Sequence, residues 1–287
     1  MSDGDRNMNS SIGVIGTGVM GRGIARLCAQ NGYPVLLVAR NKGSAMKARF
    51  NLNKEIRRRI AKGTMTQDAA ERIFISNDLT ELYCTKTIIE AVTEDYTTKR
   101  SLYCSLDPII PEDALIASNT SSLSISKLAE GMMHPERLIG LHFFNPADTM
   151  KLVEVKSGKH TNITTFEKAL HFVKRLGKES HHFPDIQGVC VNRILFPMLV
   201  EAISLVEDNK MEPAIIDRAM KLGTNMPLGP LELCDLIGND VVYNICEQLF
   251  AETKDSKYAP PMLLKAKVLE MELGRKTEIG FHDYRRR

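Results

Sequence analysis

The feature that most limits how this chain can fold is a glycine pattern between a predicted strand and a predicted helix. The stretch VIGTGVMGRG contains Gly16-x-Gly18-x-x-Gly21, with the apolar run SIGVIG before it and the helical pattern MGRGIARLCAQNG after it. In this setting Gly16 permits a tight turn, Gly18 lets phosphates approach the backbone, and Gly21 permits close packing of helix on strand. The free N–H groups at the helix N-terminus favour an anion. We therefore predict that Gly16, Gly18, Val19, Met20 and Gly21 bind the pyrophosphate of a dinucleotide; the alternative is a strand–helix turn without a ligand.

The first part of the chain alternates β-rich runs with helical patterns, as a parallel α/β sheet requires. Strands are predicted at 11–16, 34–39, 87–92, 114–119, 137–143 and 150–156. A long pair of helices is predicted over about residues 43–72, and after DIQGVCVNR only helical patterns follow. The sequence therefore predicts an α/β fold: a Rossmann-type, doubly wound parallel sheet in residues 1–187 and an all-α domain in residues 188–287.

Composition and charge exclude several classes of protein. Hydrophobic residues make up 43% and charged residues 25%, the balance of a soluble globular protein. A net charge of +3, without basic clusters interleaved with aromatics, argues against nucleic acid as a partner. There is no run of about 18 apolar residues to cross a membrane, and the N-terminus MSDGDRNMNSS is too polar for a secretory signal. Six scattered cysteines without C-x-x-C spacing fit a reduced, cytoplasmic protein without a metal site.

The residues Ala39 and Arg40 end the second predicted strand, in the stretch LLVARN. A strand at this distance from a glycine turn normally ends in an acidic residue that binds the adenosine ribose hydroxyls. Without that carboxylate there is no repulsion toward a 2′-phosphate, and Arg40 is able to bind one through a charge-assisted contact. We therefore expect NADP or NAD as the cofactor, with NADP slightly favoured. The alternative is relaxed use of NAD, with Arg40 pointing into solvent.

Polar side chains lie in or just after three successive predicted strands, in the segments SNTSSLSIS, GLHFFNP and MKLVEVK. Reacting groups of open α/β sheets gather at the carboxyl ends of the strands, which makes His142 a candidate for proton transfer. A histidine with this task benefits from a carboxylate partner, and Glu154 in the next strand is the candidate. Taken singly, His142 is better explained as a core histidine, while Glu154 fits a surface charge and Ser121 and Ser122 fit helix caps.

Taken together, several motifs resemble the 3-hydroxyacyl-CoA dehydrogenase family, including 3-hydroxybutyryl-CoA dehydrogenases. The motifs are GTGVMGRGIA, EAVTED, ASNTSSLSI, GLHFFNPADTMKLVEV, GVCVNRI and MKLGTNMPLGPLELCDLIG. The resemblance covers about residues 11–284, nearly the whole chain. It implies reversible hydride transfer between NAD(P) and the C3 hydroxyl or ketone of a 3-hydroxyacyl-CoA, with short chains such as 3-hydroxybutyryl- and acetoacetyl-CoA favoured.

The resemblance also implies catalytic roles for the matching residues. His142 would act as general base in alcohol oxidation and as acid in ketone reduction, with Glu154 orienting and polarising it. Ser121 and Asn192 would hydrogen-bond the substrate oxygen and hold it beside His142.

Further residues would bind the cofactor and the substrate. Glu94 and Lys99 match positions that line the cofactor, Asn119 is a further cofactor candidate, and Asn145 would help to order that site. The long helical pair, with Lys62, would lie over the CoA portion of the substrate. The helical C-terminal domain would form a homodimer interface and complete the cleft.

Three departures from the family pattern limit these expectations. Ala39 replaces the usual aspartate, so NAD dependence does not carry over. Glu55 stands where the family often has a small polar residue near the CoA, which leaves the thioester carrier open. The C-terminal stretch GRKTEIGFHDY varies a segment that usually reads GKKTGEGFY.

Three other functions fit parts of the sequence. The same chemistry on an acyl-carrier-protein thioester suits the basic helical pair equally well. The 3-hydroxyisobutyrate/6-phosphogluconate dehydrogenases share the glycine turn, but they use a lysine near the domain junction, where this chain reads DIQGVCVNRILF. A non-enzymatic structural or binding Rossmann dimer is the alternative of another class, and the intact set of chemical residues argues against it.

Overall fold

A computed structural model describes residues 11–186 and 190–285. The chain divides into two compact units, Met1–Ile186 and Gln187–Arg287. The expected boundary between residues 187 and 188 lies outside the described residues, as do the ten polar residues at the N-terminus.

The first unit is built on one sheet of eight strands. The strands are β1 (Ile12–Ile15), β2 (Val35–Val38), β3 (Ile73–Ser76), β4 (Thr87–Glu90), β5 (Leu115–Ser118), β6 (Leu138–Phe143), β7 (Leu152–Ser157) and β8 (Glu179–Phe183). Their order in the sheet is β3-β2-β1-β4-β5-β6-β7-β8. All neighbouring strands are parallel except β6 and β7, which are antiparallel, so β7 and β8 run opposite to the other six.

Helices connect these strands. They are α1 (Val19–Gln30), α2 (Lys42–Ala61), α3 (Gln67–Glu71), α4 (Tyr96–Leu106), α5 (Ile125–Leu128) and α6 (Ile163–Arg175), with 3₁₀ turns at Leu79–Leu82 and Pro135–Arg137. Several begin at a side-chain cap, because the first backbone N–H groups of a helix have no partner within it. Asn41, Asp95 and Asn162 cap α2, α4 and α6 in this way.

Two apolar clusters cover the two faces of the sheet. Successive residues of a strand point to opposite faces, and in β1 Val14 belongs to one cluster and Ile15 to the other. Side chains of α1, α2 and α6 complete the first cluster, and side chains of α4 and α5 complete the second. Helices thus pack on both faces, and this unit is doubly wound.

The second unit is helical. Its helices are α7 (Cys190–Glu207), α8 (Pro213–Thr224), α9 (Pro230–Ile237), α10 (Asn239–Thr253) and α11 (Met262–Leu269), with a 3₁₀ turn at Ser256–Tyr258. A separate core of apolar side chains, among them Phe196, Leu231 and Leu264, holds them together. The prediction of a Rossmann-type sheet followed by an all-α domain is confirmed.

Two strands were missing from the sequence prediction, and both lie at sheet edges. β3 and β8 are only partly buried, and β8 has the polar sequence ESHHF. An edge strand packs on few neighbours, so it lacks the continuous apolar run that identifies an interior strand. The antiparallel direction of β7 was not predicted either.

Gly21 is expected to be essential for the stability of the glycine turn. A Cβ atom at Gly21 would overlap the carbonyl oxygen of Gly16, whereas a Cβ at Gly18 would have no atom within 4 Å. We therefore expect Gly21→Ala to lower the free energy of unfolding by about 2–3 kcal/mol, and the matched control Gly18→Ala to change it by less than about 1 kcal/mol. Urea unfolding followed by circular dichroism measures both. Equal losses in the two variants would contradict this role of Gly21.

His282 is expected to make the stability of the protein depend on pH. A hydrogen bond between His282 Nε2 and Asp217, 2.7 Å long, raises the pKa of His282 above its ordinary value of 6.5, although burial opposes the rise. The folded chain therefore holds this proton more tightly than the unfolded chain. The stabilisation is complete below pH 6.5 and is lost as the pH rises through the higher folded-state pKa.

The test compares the free energy of unfolding of the wild type with that of His282→Gln over this pH range. The advantage of the wild type should shrink as the pH rises above 6.5 and through the raised folded-state pKa of His282. An advantage that stays constant or grows would show that the His282 proton does not stabilise the fold.

Candidate active site

His142 and Glu154 form a buried pair across the two antiparallel strands. His142 in β6 lies directly opposite Glu154 in β7, so both side chains stand on one face of the sheet. The ring nitrogen Nδ1 of His142 is 2.8 Å from Glu154 Oε2. Glu154 is fully buried and His142 is 8% exposed. A carboxylate in this position fixes the orientation and tautomer of the imidazole and stabilises its protonated form.

Asn119 connects the end of β5 to the end of β6. Its side-chain oxygen accepts a hydrogen bond of 2.9 Å from the backbone N–H of Phe143, the residue after His142. The loop that follows β5 is thereby held beside the histidine. The ring of Phe144 lies against the imidazole, with 4.6 Å between the ring centroids.

Glu94 organises the loop that contains Ser121. Its Oε1 atom accepts hydrogen bonds from the hydroxyl of Thr120 at 2.5 Å and from the backbone N–H groups of Ser121 and Ser122 at 2.9 and 3.0 Å. The hydroxyls of Ser121 and Ser122 also face this oxygen, at 3.4 and 3.1 Å. Because one carboxylate collects donors from three consecutive residues, the loop has a defined conformation.

Lys99 keeps the Glu94 carboxylate ionised. Burial acts to raise the pKa of Glu94, but the charge of Lys99 and the hydrogen bonds from Thr120 and Ser122 outweigh it, so the pKa is lowered. The ammonium of Lys99 is 3.3 Å from Glu94 and 2.6 Å from Glu90, and the residue is 1% exposed. Lys99 therefore lies in the interior as a bridge between two carboxylates.

Ser121 and Ser122 do not cap the helix that follows them, contrary to the alternative interpretation of the sequence. The helix α5 begins at Ile125, and Ser124 is its cap. The Asp185 carboxylate accepts hydrogen bonds of 2.9 Å from the N–H groups of Ile125 and Ser126.

The glycine turn leaves space for a ligand above the N-terminus of α1. Gly16 has φ of +111°, and a Cβ there would overlap the backbone of Ala91. The space around Gly18 is open, and no side chain caps the helix at this residue. Val19 is 60% exposed and Met20 is partly buried. These features fit a dinucleotide, since its pyrophosphate needs free N–H groups and close access to the backbone.

The end of β2 has one buried and one exposed residue. Ala39 is buried, and Arg40 is exposed next to Asn41, which caps α2 through a 2.8 Å hydrogen bond from the N–H of Ser44. Arg40 therefore directly precedes the N-terminal cap of a 20-residue helix, whose positive end favours an anion.

An ionic cluster joins α1, α2 and the segment after β6. Glu55 in α2 accepts hydrogen bonds from Arg22 and Arg26 in α1, and Arg22 also donates to the carbonyl of Thr17 in the glycine turn at 2.7 Å. One helical turn further along α2, Arg59 forms an ion pair with Asp148. Burial lowers the pKa of Arg26, although the charge of Glu55 opposes this. The carboxylate of Glu55 therefore partly neutralises the positive charges of two arginines.

The remaining candidates are Lys62, Asn145 and Asn192. Lys62 is exposed at the C-terminal cap of α2. Asn145 is exposed and precedes the cis peptide bond to Pro146. Asn192 belongs to the second unit, where it is buried in the first turn of α7.

Sequence reasoning overlooked the residues that support the site. Glu90 is fully buried, and its carboxylate accepts hydrogen bonds from Ser118 at 2.9 Å and from Tyr103, in addition to its pair with Lys99. A signal was present, because Glu90 interrupts the otherwise apolar run TIIEAV and a buried charge requires partners. The arginines that pair with Glu55 and Asp148 could not be identified in this way, because they are distant from these carboxylates in sequence.

The described part of the chain lacks two further kinds of feature. Within residues 11–186 and 190–285, no helix is long and apolar enough to span a membrane. The same residues contain no group of three or more His, Cys, Asp or Glu side chains arranged to hold a metal ion.

Comparison with known proteins identifies the family. Residues 11–185 match the family described as "3-hydroxyacyl-CoA dehydrogenase, NAD binding domain", and residues 188–284 match "3-hydroxyacyl-CoA dehydrogenase, C-terminal domain". Among curated proteins, the 3-hydroxybutyryl-CoA dehydrogenase of Clostridioides difficile is 41% identical over 95% of this chain and 99% of its own length. That of Bradyrhizobium diazoefficiens is 40% identical over 96% of this chain and 95% of its own length.

Solved structures agree with these matches. The (S)-3-hydroxybutyryl-CoA dehydrogenase of Ralstonia eutropha is 39% identical, with a TM-score of 0.85 over 96% of this chain and 99% of that chain. FadB2 of Mycobacterium tuberculosis is 34% identical, with a TM-score of 0.90 over 96% of this chain and 99% of that chain. The chain is an enzyme that belongs to the 3-hydroxyacyl-CoA dehydrogenase family.

Proposed function

We propose that the protein catalyses reversible hydride transfer between a nicotinamide dinucleotide and C3 of a short-chain 3-hydroxyacyl-CoA, such as 3-hydroxybutyryl- or acetoacetyl-CoA. The observation that carries this proposal is the buried pair of His142 and Glu154 at the end of β6. The curated relatives named above as 3-hydroxybutyryl-CoA dehydrogenases support the choice of substrate.

The proton is transferred by His142. Its Nδ1 atom faces Glu154, so Nε2 is the nitrogen that takes the hydroxyl proton during oxidation and returns it during reduction. Glu154 stabilises the imidazolium that forms and does not itself take the proton. The nicotinamide, when bound, accepts or donates the hydride.

The substrate oxygen is held by Ser121 and Asn192. Glu94 acts through the Ser121 loop and is therefore a positioning residue, as is Lys99, which keeps Glu94 ionised. Lys62, at the exposed end of α2, contacts the CoA portion.

The cofactor is bound at the glycine turn and at the end of β2. Gly16, Gly18, Val19, Met20 and Gly21 hold the pyrophosphate, and Asn119 and Asn145 are further contacts of the cofactor. NADP is the preferred cofactor. Ala39 presents no carboxylate to a 2′-phosphate, and Arg40 is exposed beside the N-terminus of α2.

A purely structural role is the less favoured function. Burying an imidazole and a carboxylate costs free energy that a well-packed apolar pair would not. Glu154 is fully buried and still faces a histidine with access to solvent, which is the arrangement that proton transfer requires.

The second unit exposes apolar side chains that we propose are covered by a second copy of the chain. Six large apolar side chains of its helices are at least half exposed, and a second copy is the occupant that would remove them from water. They are Ile194, Ile215, Leu222, Leu236, Met262 and Leu269. The functional unit is thus a homodimer in a reducing, cytoplasmic compartment, to which six free cysteines are suited.

Replacement of His142 tests the mechanism. We expect His142→Gln to lower kcat by about 10² to 10⁴, because general acid–base catalysis contributes a factor of that size. Glu154→Gln should cause a similar loss, since Glu154 acts only through the histidine. Reduction of acetoacetyl-CoA, followed by the absorbance of NADH or NADPH, measures both.

The control is a binding measurement on the same variants. Fluorescence titration with NADH and NADPH should give unchanged dissociation constants, because neither side chain belongs to the glycine turn. Near-normal turnover in His142→Gln would exclude the histidine as the proton-transferring group.

Replacement of Arg40 tests the cofactor preference. Arg40→Asp introduces a carboxylate that repels a 2′-phosphate and accepts hydrogen bonds from the ribose hydroxyls. We expect the ratio of kcat/KM for NADPH to that for NADH to fall by at least about tenfold, the size of one lost charge-assisted contact. Arg49→Asp, a change of an exposed arginine in α2, is the matched control. An unchanged ratio in Arg40→Asp would show that Arg40 does not contact the cofactor.

A further inference from the structure

The helix α2 has a large net positive charge, whereas the rest of the chain has a net negative charge. It contains seven basic residues and one acidic residue, a net charge of +6, whereas the whole chain has a net charge of +3. The remainder of the chain is therefore negative, at −3. The single acidic residue of α2, Glu55, is already paired with Arg22 and Arg26 of α1.

One side of this helix faces solvent along its whole length. The solvent face consists of Met46, Lys47, Phe50, Lys54, Arg57 and Arg58. These residues recur at intervals of three and four, the spacing that places side chains on one side of a helix. The opposite side contains the buried Ala48, Leu52 and Ile56, which attach α2 to the sheet.

Local helix stability explains only part of this charge. Arg58 and Arg59 lie in the last turn, where cations interact favourably with the helix dipole. Lys47 and Lys54 lie far from that end, and like charges along one face repel each other. Their position indicates an external negative partner.

The solvent face also has an apolar centre. Met46 is 74% exposed and Phe50 is 71% exposed, and the two are one helical turn apart. Apolar side chains surrounded by charges are typical of a surface that binds protein, because the apolar atoms contribute affinity and the charges steer the encounter.

We propose that the solvent face of α2 docks an acidic acyl carrier domain, which presents the acyl group to the active site as a phosphopantetheine thioester. The proposal rests on the function proposed above and concerns the carrier of the same substrate. CoA and carrier domains share the phosphopantetheine arm, so the chemistry at His142 is identical for both.

The extent of the solvent face distinguishes the two carriers. A helix of 20 residues is about 30 Å long, and the cations of the solvent face extend from Lys47 to Arg58, over about three turns. The phosphates of one CoA molecule occupy only a short part of that length, and its single adenine ring would leave most of the solvent face uncovered. An acidic helix of a carrier domain, laid along α2, pairs with the cations and covers Met46 and Phe50 together.

The test compares two carriers of one acyl group. The substrates are acetoacetyl-CoA and a purified acyl carrier protein loaded with an acetoacetyl group. The variant Lys47→Glu/Lys54→Glu reverses two charges on the solvent face. The matched control Lys159→Glu/Lys174→Glu makes the same change in net charge at exposed lysines elsewhere in the first unit.

We expect Lys47→Glu/Lys54→Glu to lower kcat/KM for the carrier-bound substrate by at least about tenfold and for acetoacetyl-CoA by less than about twofold, since charge complementarity acts on encounter with the protein partner. The control should leave both values within about twofold of the wild type. Fluorescence anisotropy of labelled holo-carrier protein, without an acyl group, should show the same loss of binding in the test variant alone.

Other outcomes would overturn the docking proposal. Equal losses on both substrates would place the two lysines at the CoA site, and unchanged kinetics on both would leave the solvent face without a role. Turnover of acetoacetyl-CoA without turnover of the carrier-bound substrate would refute docking and keep the proposed function. Failure on both substrates by the wild type would refute the proposed function itself.

Discussion

The pairing of β6 with β7 is the constraint on which the active site depends. In the first six strands the sheet is parallel, and parallel neighbours are connected by helices on its faces. At β7 the direction reverses, so the strand returns directly beside β6 and Glu154 meets His142 in register. A shift of one residue would turn Glu154 to the other face of the sheet. The register of β6 and β7 therefore decides whether Glu154 can contact His142.

The same part of the molecule shows how a mostly apolar sheet accommodates charge. Glu90 and Lys99 are completely buried, and each is satisfied by several partners. An unpaired buried charge would be strongly destabilising, so these groups function as one network. The network extends through Glu94 to the Ser121 loop. Stability of the interior and conformation of the loop are consequently linked.

The helix α2 connects several properties of the protein. Its N-terminus follows Arg40, at the end of the strand that is expected to face the adenosine ribose. Through Glu55 and Arg22 it is linked to the carbonyl of Thr17, inside the glycine turn. Its solvent face bears four cations, Lys47, Lys54, Arg57 and Arg58. The proposed cofactor preference and the proposed docking of a carrier domain therefore concern one element of the fold.

The sequence by itself determined the fold class, the glycine turn and the membership of the family. These depend on local patterns, such as the spacing of Gly16, Gly18 and Gly21. Such patterns are recognisable from neighbouring residues without knowledge of the rest of the chain. His142 and Glu154 were also identified, as a histidine and its carboxylate partner, but without the strand direction and register that bring them together.

Only the tertiary structure decided how these residues meet. It brought Glu154 opposite His142, turned Ser121 and Ser122 toward Glu94 instead of a helix end, and surrounded Lys99 with two carboxylates. Strand direction and register are set by packing between segments far apart in sequence, and edge strands such as β8 have no apolar run of their own. A local pattern contains no information on such contacts, and this is why the fold could be predicted while the geometry of the site could not.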